Sequence, residues 1–255
     1  MTDLYPRHLQ SGARMSGTRD LIFGELESRE APVPVVALPK PREADAVELV
    51  HLYNTVEEAT EARDHHIIQF VSAGNEARNV EIAYNLAWIG ATLLGKRILF
   101  VDASRNANGS ARWQPLRLPE SPPRKGLQDV ALGNASAEEA IVTEANNSLF
   151  VATLLHERTG GSAVLAAKQI RTLLEELRTT FDMIVIAPPP TADQPLALML
   201  KAVVDGSVLV AEAGRSSTKA LAKCAEQLSD GYGPLIGAVV RRARDPIPRW
   251  LRRWV

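Results

Sequence analysis

The chain has 255 residues, which is enough for one large domain with appended segments. Hydrophobic residues make up 45% and charged residues 23%, and this ordinary globular balance excludes a collagen-like, coiled-coil or wholly disordered protein. The net charge of −1 excludes a basic surface over the whole chain for nucleic acid, and the single Cys224 excludes an internal disulfide framework or a multi-cysteine zinc site.

Composition divides the chain into three predicted segments. Residues 1–43 mix charges with five prolines and predict a flexible N-terminal arm. Residues 44–245 alternate helical and strand patterns and predict a single α/β domain, and residues 246–255 form a basic aromatic C-terminal tail. The longest uncharged helical stretch, 82–95, is shorter than the roughly 20 residues that cross a bilayer, so we expect a cytoplasmic protein, in solution or at a membrane surface.

The predicted elements of the domain follow one another as helices and strands. In chain order they are helix 43–63, strand 67–71, helix 79–94, strand 97–101, an irregular proline-rich stretch 104–125, a short helical stretch, strand 148–153, helix 163–179, strand 182–187, helix 195–203, strand 207–211, helix 216–229 and strand 235–240. The strands are nearly continuous apolar runs, which is typical of strands covered on both faces. The pattern predicts a three-layer α/β/α fold with a mainly parallel sheet, whose ligand site lies beyond the carboxyl ends of the strands.

Short motifs in this order resemble a known family. They include Asn85-Leu86-Ala87 in a long helix, Val101-Asp102-Ala103 at the end of a strand and Val204-Asp205-Gly206 in the later half. Residues 44–245 thereby resemble the cytoplasmic tyrosine autokinases of bacterial capsule and exopolysaccharide synthesis. Those enzymes belong to the deviant P-loop ATPases, which also include the septum-site and plasmid-partition ATPases, so the resemblance implies a P-loop-NTPase-like fold.

The phosphate-binding loop of that family is missing from this chain. A P-loop uses glycines to wrap its backbone N–H groups around phosphate, a lysine on the terminal phosphates and a hydroxyl on magnesium. Aligned on the resemblance, the family's Gly-Glu-Gly-Lys-Ser falls on Glu76, Ala77, Arg78, Asn79 and Val80. Both glycines, the lysine and the hydroxyl are therefore replaced, and a glutamate near the phosphates adds repulsion.

Three further positions complete the predicted vestigial nucleotide site. Asp102 matches the family's acidic residue at the end of the second strand, although it could instead be explained as a loop or helix cap. Ala187 stands where the family delivers an aspartate for metal and water, and Arg241 stands where it has an adenine-reading asparagine. The resemblance thus implies a degenerate nucleotide site with no catalytic residue, no metal and no cofactor. The alternative is an active enzyme that binds ATP and magnesium through Arg78 and Asp102.

The C-terminal segment carries a separate signal. Residues 241–255 hold six arginines and one aspartate. Trp250 and Trp254 share one helical face, and Arg249, Arg252 and Arg253 fall on the other sides, a pattern typical of helices at a membrane interface. The tail is predicted to contact a membrane or a membrane protein; the alternatives are that it packs on the domain or binds nucleic acid.

The sequence therefore favours a non-catalytic regulator or scaffold of exopolysaccharide synthesis and export at the cytoplasmic membrane face. The resemblance implies a transmembrane polysaccharide co-polymerase, an export component or a related kinase as the partner, with a homo-oligomer as a further expectation and nucleic acid disfavoured. No tyrosine follows Tyr232, so we expect this chain to lack the C-terminal tyrosine cluster that the autokinases phosphorylate on themselves. The competing interpretations are an active ATPase or kinase with an atypical site, and a DNA-binding partition-type protein.

Overall fold

The computed structural model describes residues 43–60, 64–72, 79–103, 125–144, 148–154, 163–189, 195–230 and 232–241. Seven helices and seven strands lie in these ranges. In chain order they are α1 (Glu43–Ala59), β1 (His66–Ser72), α2 (Asn79–Thr92), β2 (Ile98–Asp102), α3 (Leu127–Ala131), α4 (Ala137–Ala140), β3 (Ile141–Thr143), β4 (Leu149–Thr153), α5 (Ala163–Arg178), β5 (Met183–Ala187), α6 (Pro195–Leu200), β6 (Gly206–Glu212), α7 (Thr218–Ser229) and β7 (Leu235–Arg241).

The strands form one sheet in the order β3-β4-β2-β5-β1-β6-β7. All neighbouring pairs are parallel except β3 with β4, which is antiparallel. The mainly parallel sheet predicted from the sequence is therefore confirmed, and the carboxyl ends of β1, β2, β4 and β5 meet at one edge. The parallel strands need helical crossovers, which is why helix and strand patterns alternate along the chain.

Helices cover both faces of the sheet, as the three-layer prediction requires. On one face the core joins Tyr53 and Val56 of α1 and the inner side of α2 to β1, β2, β5 and β6. On the other face Ala197 of α6 and Cys224 and Leu228 of α7 pack on Val71 and Leu209. β1 lies inside the sheet between β5 and β6 and all seven of its residues are buried, which explains why most of them are apolar.

Two local features differ from the sequence-based expectation. β3 is an additional antiparallel edge strand directly after α4, where the sequence pattern predicted only a short helical stretch. The first and sixth helices end at Ala59 and Leu200, earlier than the predicted 63 and 203. The chain turns directly after Leu200, since the amides of Val203 and Val204 both donate to its carbonyl oxygen. Residues 1–42 and 242–255 lie outside the described residues, so the predicted arm and tail stay predictions.

Candidate functional site at the carboxyl edge of the sheet

The candidate site lies where four neighbouring strands end. Ser72, Asp102, Thr153 and Ala187 are the last residues of β1, β2, β4 and β5, and all four are buried. Asp102 is the register partner of both Thr153 and Ala187, so the three residues stand side by side. A ligand of a parallel α/β sheet is expected at this edge.

Asn79 begins α2 directly above this edge. Its side chain is fully buried, and its amide nitrogen donates to the carbonyl oxygen of Phe70 in β1 at 2.9 Å and to that of Pro188 after β5 at 2.7 Å. Both amide hydrogens are therefore used to hold the start of the helix to two strands. Its Oδ1 atom is buried without a hydrogen-bond partner in the described part of the chain.

Val80 and Ala187 lie in the hydrophobic core. Both belong to the cluster between α2 and the sheet, with exposed fractions of 4% and 0%. These are the positions where the resemblance places a magnesium-binding hydroxyl and a carboxylate. An isopropyl group and a methyl group offer no oxygen to a hard cation such as magnesium.

Asp102, which the sequence placed at the end of the second strand, is the last residue of β2 and lies at this edge. It is 4% exposed. Its carbonyl oxygen accepts from the amide of Leu154, and the next amide, of Ala103, donates to Ala187. These backbone bonds fix the end of β2 beside β4 and β5.

Arg241 lies further along the same edge, at the end of β7. Its Nη1 atom is 2.5 Å from Oε2 of Glu81 in the first turn of α2, and the two side chains are 34% and 24% exposed. Sequence reasoning missed Glu81, although an acidic residue in the first turn of a helix is a recognisable signal because it complements the helix dipole. Glu76, Ala77, Arg78 and the tail residues Arg249, Trp250, Arg252, Arg253 and Trp254 lie outside the described residues.

A buried carboxyl group that the sequence did not single out lies beside α2. The hydroxyl of Tyr84 donates to Oε2 of Glu144 at 2.9 Å, and the Tyr84 ring meets Phe100 edge-on at 5.5 Å. Burial raises the pKa of Glu144 to about 7, while the hydrogen bond from Tyr84 opposes that rise. Burial, followed by the neighbouring Glu144, also raises the pKa of Tyr84. No pattern in the sequence pairs these residues, because they are 60 positions apart.

The opposite, amino end of the sheet carries a structural charge network. Arg178 at the end of α5 bonds to Asp205 at 2.5 Å and to the carbonyl oxygens of His65 and Val203. Asp205 also accepts from the amide of Ile67 at 2.7 Å, so the network ties α5 to the starts of β1 and β6. This end lies away from the carboxyl edge and satisfies its own charges.

The described ranges contain no candidate metal site, because no group of three or more His, Cys, Asp or Glu side chains comes together there. His66 is 6% exposed at the start of β1, and burial lowers its pKa against the opposing effect of Asp205. Among the same residues, no helix combines the length and apolar character needed to span a bilayer.

Comparison with known proteins identifies the relatives of this chain as bacterial tyrosine-protein kinases, while no protein-family model matches it. It is 26% identical over 212 residues to the tyrosine-protein kinase YwqD of Bacillus subtilis, covering 81% of this chain and 84% of that protein. The tyrosine-protein kinase CpsD of Streptococcus agalactiae is 24% identical over 175 residues, covering 68% and 72%. The succinoglycan biosynthesis transport protein ExoP of Rhizobium meliloti is 26% identical over 161 residues, covering 58% of this chain and 20% of ExoP.

Solved structures share the fold. The chimerical protein CapA2B2 matches with a TM-score of 0.65 at 18% identity, covering 89% of this chain and all of that one. The kinase domain of the Escherichia coli tyrosine kinase ETK matches with a TM-score of 0.64 at 18% identity, covering 80% and 78%. The MinD cell division protein of Aquifex aeolicus matches with a TM-score of 0.51 at 18% identity, covering 74% and 72%. The predicted P-loop-NTPase-like fold is therefore confirmed.

Proposed function

We propose that this chain is a non-catalytic regulator or scaffold of bacterial exopolysaccharide synthesis that keeps the kinase-like fold without binding magnesium-ATP. Its relatives include tyrosine-protein kinases and a succinoglycan biosynthesis transport protein, which supports a role in polysaccharide assembly. The residues at the carboxyl edge of the sheet support the absence of catalysis.

The single observation that carries this proposal is the state of Asn79. The resemblance places the phosphate-binding lysine here, and in this chain the side chain is neutral, fully buried and hydrogen-bonded to Phe70 and Pro188. A phosphate oxygen could accept a hydrogen bond from this amide only by displacing the two carbonyl oxygens. The neutral amide would then offer the phosphate no positive charge. Leaving those buried carbonyls unsatisfied costs about 1–3 kcal/mol each.

The surrounding positions add to the loss of affinity. A charge-assisted hydrogen bond contributes about 1.5–3 kcal/mol, so losing the lysine contact alone weakens binding by roughly one to two orders of magnitude. Val80 and Ala187 remove two further oxygen ligands for magnesium. Together these losses would raise the dissociation constant for magnesium-ATP from an ordinary micromolar value to above the millimolar range.

Isothermal titration calorimetry with magnesium-ATP tests this proposal directly. We expect no saturable heat from this chain up to about 1 mM ATP, whereas YwqD in the same buffer serves as the binding control. Incubation with γ-labelled ATP should leave the chain unlabelled. Saturable binding in the micromolar range, or self-labelling, would overturn the proposal.

An active enzyme with an atypical site is the second candidate, because Asp102 keeps its place beside Ala187 at the strand ends. ATP and magnesium would then be bound through Arg78 and Asp102. In that case Asp102→Asn and Arg78→Gln should each weaken the ATP binding seen by calorimetry. If wild type shows no binding, this candidate fails.

The site of action is part of the same proposal. We propose that the chain works at the cytoplasmic face of the membrane, through its tail and a transmembrane co-polymerase, export component or related kinase, and that it assembles with copies of itself. The arginines and tryptophans of 249–254 support contact with an anionic lipid surface. Flotation with anionic liposomes, comparing the full chain with one that ends at Asp245, tests the tail, and equal flotation would refute its membrane contact.

A further inference from the structure

An ion pair joins the edge strand of the sheet to the helix at the candidate site. Nη1 of Arg241, the last residue of β7, lies 2.5 Å from Oε2 of Glu81 in the first turn of α2. In the sheet order β6 stands between β7 and β1, the strand that α2 follows. The pair therefore reaches across a neighbouring strand and connects two elements that are 160 residues apart in sequence.

The end of β7 needs such an anchor. Within the described residues β7 pairs with β6 alone, and several of its residues are exposed, with Val240 at 64%. Ends of edge strands are among the first parts of a fold to open. The carbonyl oxygen of Arg241 accepts from the amide of Ala213, so its backbone holds to the neighbouring turn independently of the side chain.

A second carboxylate stands beside Arg241. Glu212 of β6 is its register partner, and register partners in neighbouring parallel strands direct their side chains to the same face of the sheet. Oε1 of Glu212 is 3.7 Å from Nη1 of Arg215, and its Oε2 is buried without a hydrogen-bond partner in the described part of the chain. A buried carboxylate oxygen in this state is a ready acceptor for a guanidinium.

We propose that Arg241 is a two-position clasp: bound to Glu81 it holds the edge strand to α2, and when released it is received by Glu212 within the sheet. In the closed position the clasp keeps the end of β7 and the first turn of α2 together. In the open position the guanidinium is paired with Glu212, so the edge strand and the start of α2 separate without leaving Arg241 unpaired. Both positions use side chains of this chain alone, so the clasp operates whether or not a nucleotide binds.

Hydrogen–deuterium exchange on the full chain tests the clasp, with three isosteric variants compared in peptides covering 235–241 and 79–84. Glu81→Gln should speed exchange roughly tenfold in both regions, because it removes a charge-assisted bond at the mobile end of an edge strand. Glu212→Gln should leave exchange there unchanged or slower, since it removes the open position. The double variant should exchange more slowly than Glu81→Gln, because the open position then lacks the carboxylate that receives the released guanidinium.

The clasp is refuted if Glu81→Gln leaves exchange at both regions unchanged, or if Glu212→Gln loosens them as much. The charge-swapped pair Glu81→Arg with Arg241→Glu separates the clasp from a general folding defect. Slow exchange restored in the swapped chain, relative to either single change, supports the clasp, and a swapped chain no better than the worse single change contradicts it. No ATP is present in these measurements, so their outcome does not depend on the calorimetric test of the proposed function.

Discussion

The buried carboxyl group of Glu144 predicts an unusual dependence of stability on pH. Glu144 is 8% exposed, directly follows β3 and accepts the hydroxyl of Tyr84. Burial raises its pKa from 4.5 to about 7. The group is therefore neutral in the folded chain at a pH where the same carboxyl group in the unfolded chain is already ionised.

The sign and size of the effect follow from this difference. Because the folded pKa of Glu144 is the higher one, its stabilising contribution is complete below about pH 4.5 and is lost as the pH rises through about 7. Each pKa unit corresponds to about 1.4 kcal/mol, so a difference of about 2.5 pKa units changes the free energy of unfolding by ~3 kcal/mol between low and high pH. Glu144→Gln keeps the shape and an acceptor for Tyr84 but does not ionise. The variant should gain ~3 kcal/mol in free energy of unfolding relative to wild type between about pH 4.5 and about pH 8.5.

Urea denaturation of both proteins across this pH range, at constant ionic strength, measures the difference. The exposed Glu58 supplies the matched control, since Glu58→Gln should shift the curves by less than about 0.5 kcal/mol at every pH. A difference between wild type and Glu144→Gln that stays constant with pH would refute the reasoning. It would mean that water entry or a structural change lets Glu144 ionise in the folded chain without a loss of stability.

Two substitutions elsewhere test the packing of the fold by the same denaturation assay. Arg178→Met should cost about 3–5 kcal/mol, because it leaves the buried carboxylate of Asp205 without its guanidinium, and a cost below about 1 kcal/mol would contradict a buried ion pair. Gly233→Ala should cost about 2–4 kcal/mol, because Gly233 has φ +62° and a Cβ there would lie 2.7 Å from the carbonyl oxygen of Lys201. Gly95→Ala, at φ +67° with open space around it, should cost only about 1–2 kcal/mol, and equal losses at the two glycines would show that the close contact is unimportant.

Strand and helix order could be read from the sequence because burial in a parallel sheet leaves a strong local signal. Residues 183–186 are apolar without interruption, and the structure buries every residue of β5. The edge elements gave weaker signals. β3 has three residues, of which two are only partly buried, so no apolar run distinguishes it from the helix before it. Such short edge strands depend on their partner, here β4, more than on their own residues.

The identity of the residues at the carboxyl edge could likewise be predicted, but their contacts could not. The helical pattern predicted a helix that begins at about Asn79, and the structure begins α2 at that residue. That Asn79 donates to the carbonyl oxygen of Pro188, 109 positions away, depends on β1 and β5 being neighbours in the sheet. The same holds for Glu81 with Arg241, since a sequence pattern records only local periodicity.

The side chains on which the proposed function depends also contribute to the stability of the fold. Val80 and Ala187 pack in one cluster, and Asn79 joins two strands to a helix, so these positions now contribute core contacts. Restoring one ligand, as in Asn79→Lys, would therefore bury an ammonium group beside Phe70 and Pro188 without the rest of a phosphate site. An unpaired buried charge costs several kcal/mol, so single substitutions of this kind should destabilise the chain without producing ATP binding. If the proposed function is correct, a nucleotide site would require changes in the loop, the helix start and the strand ends together.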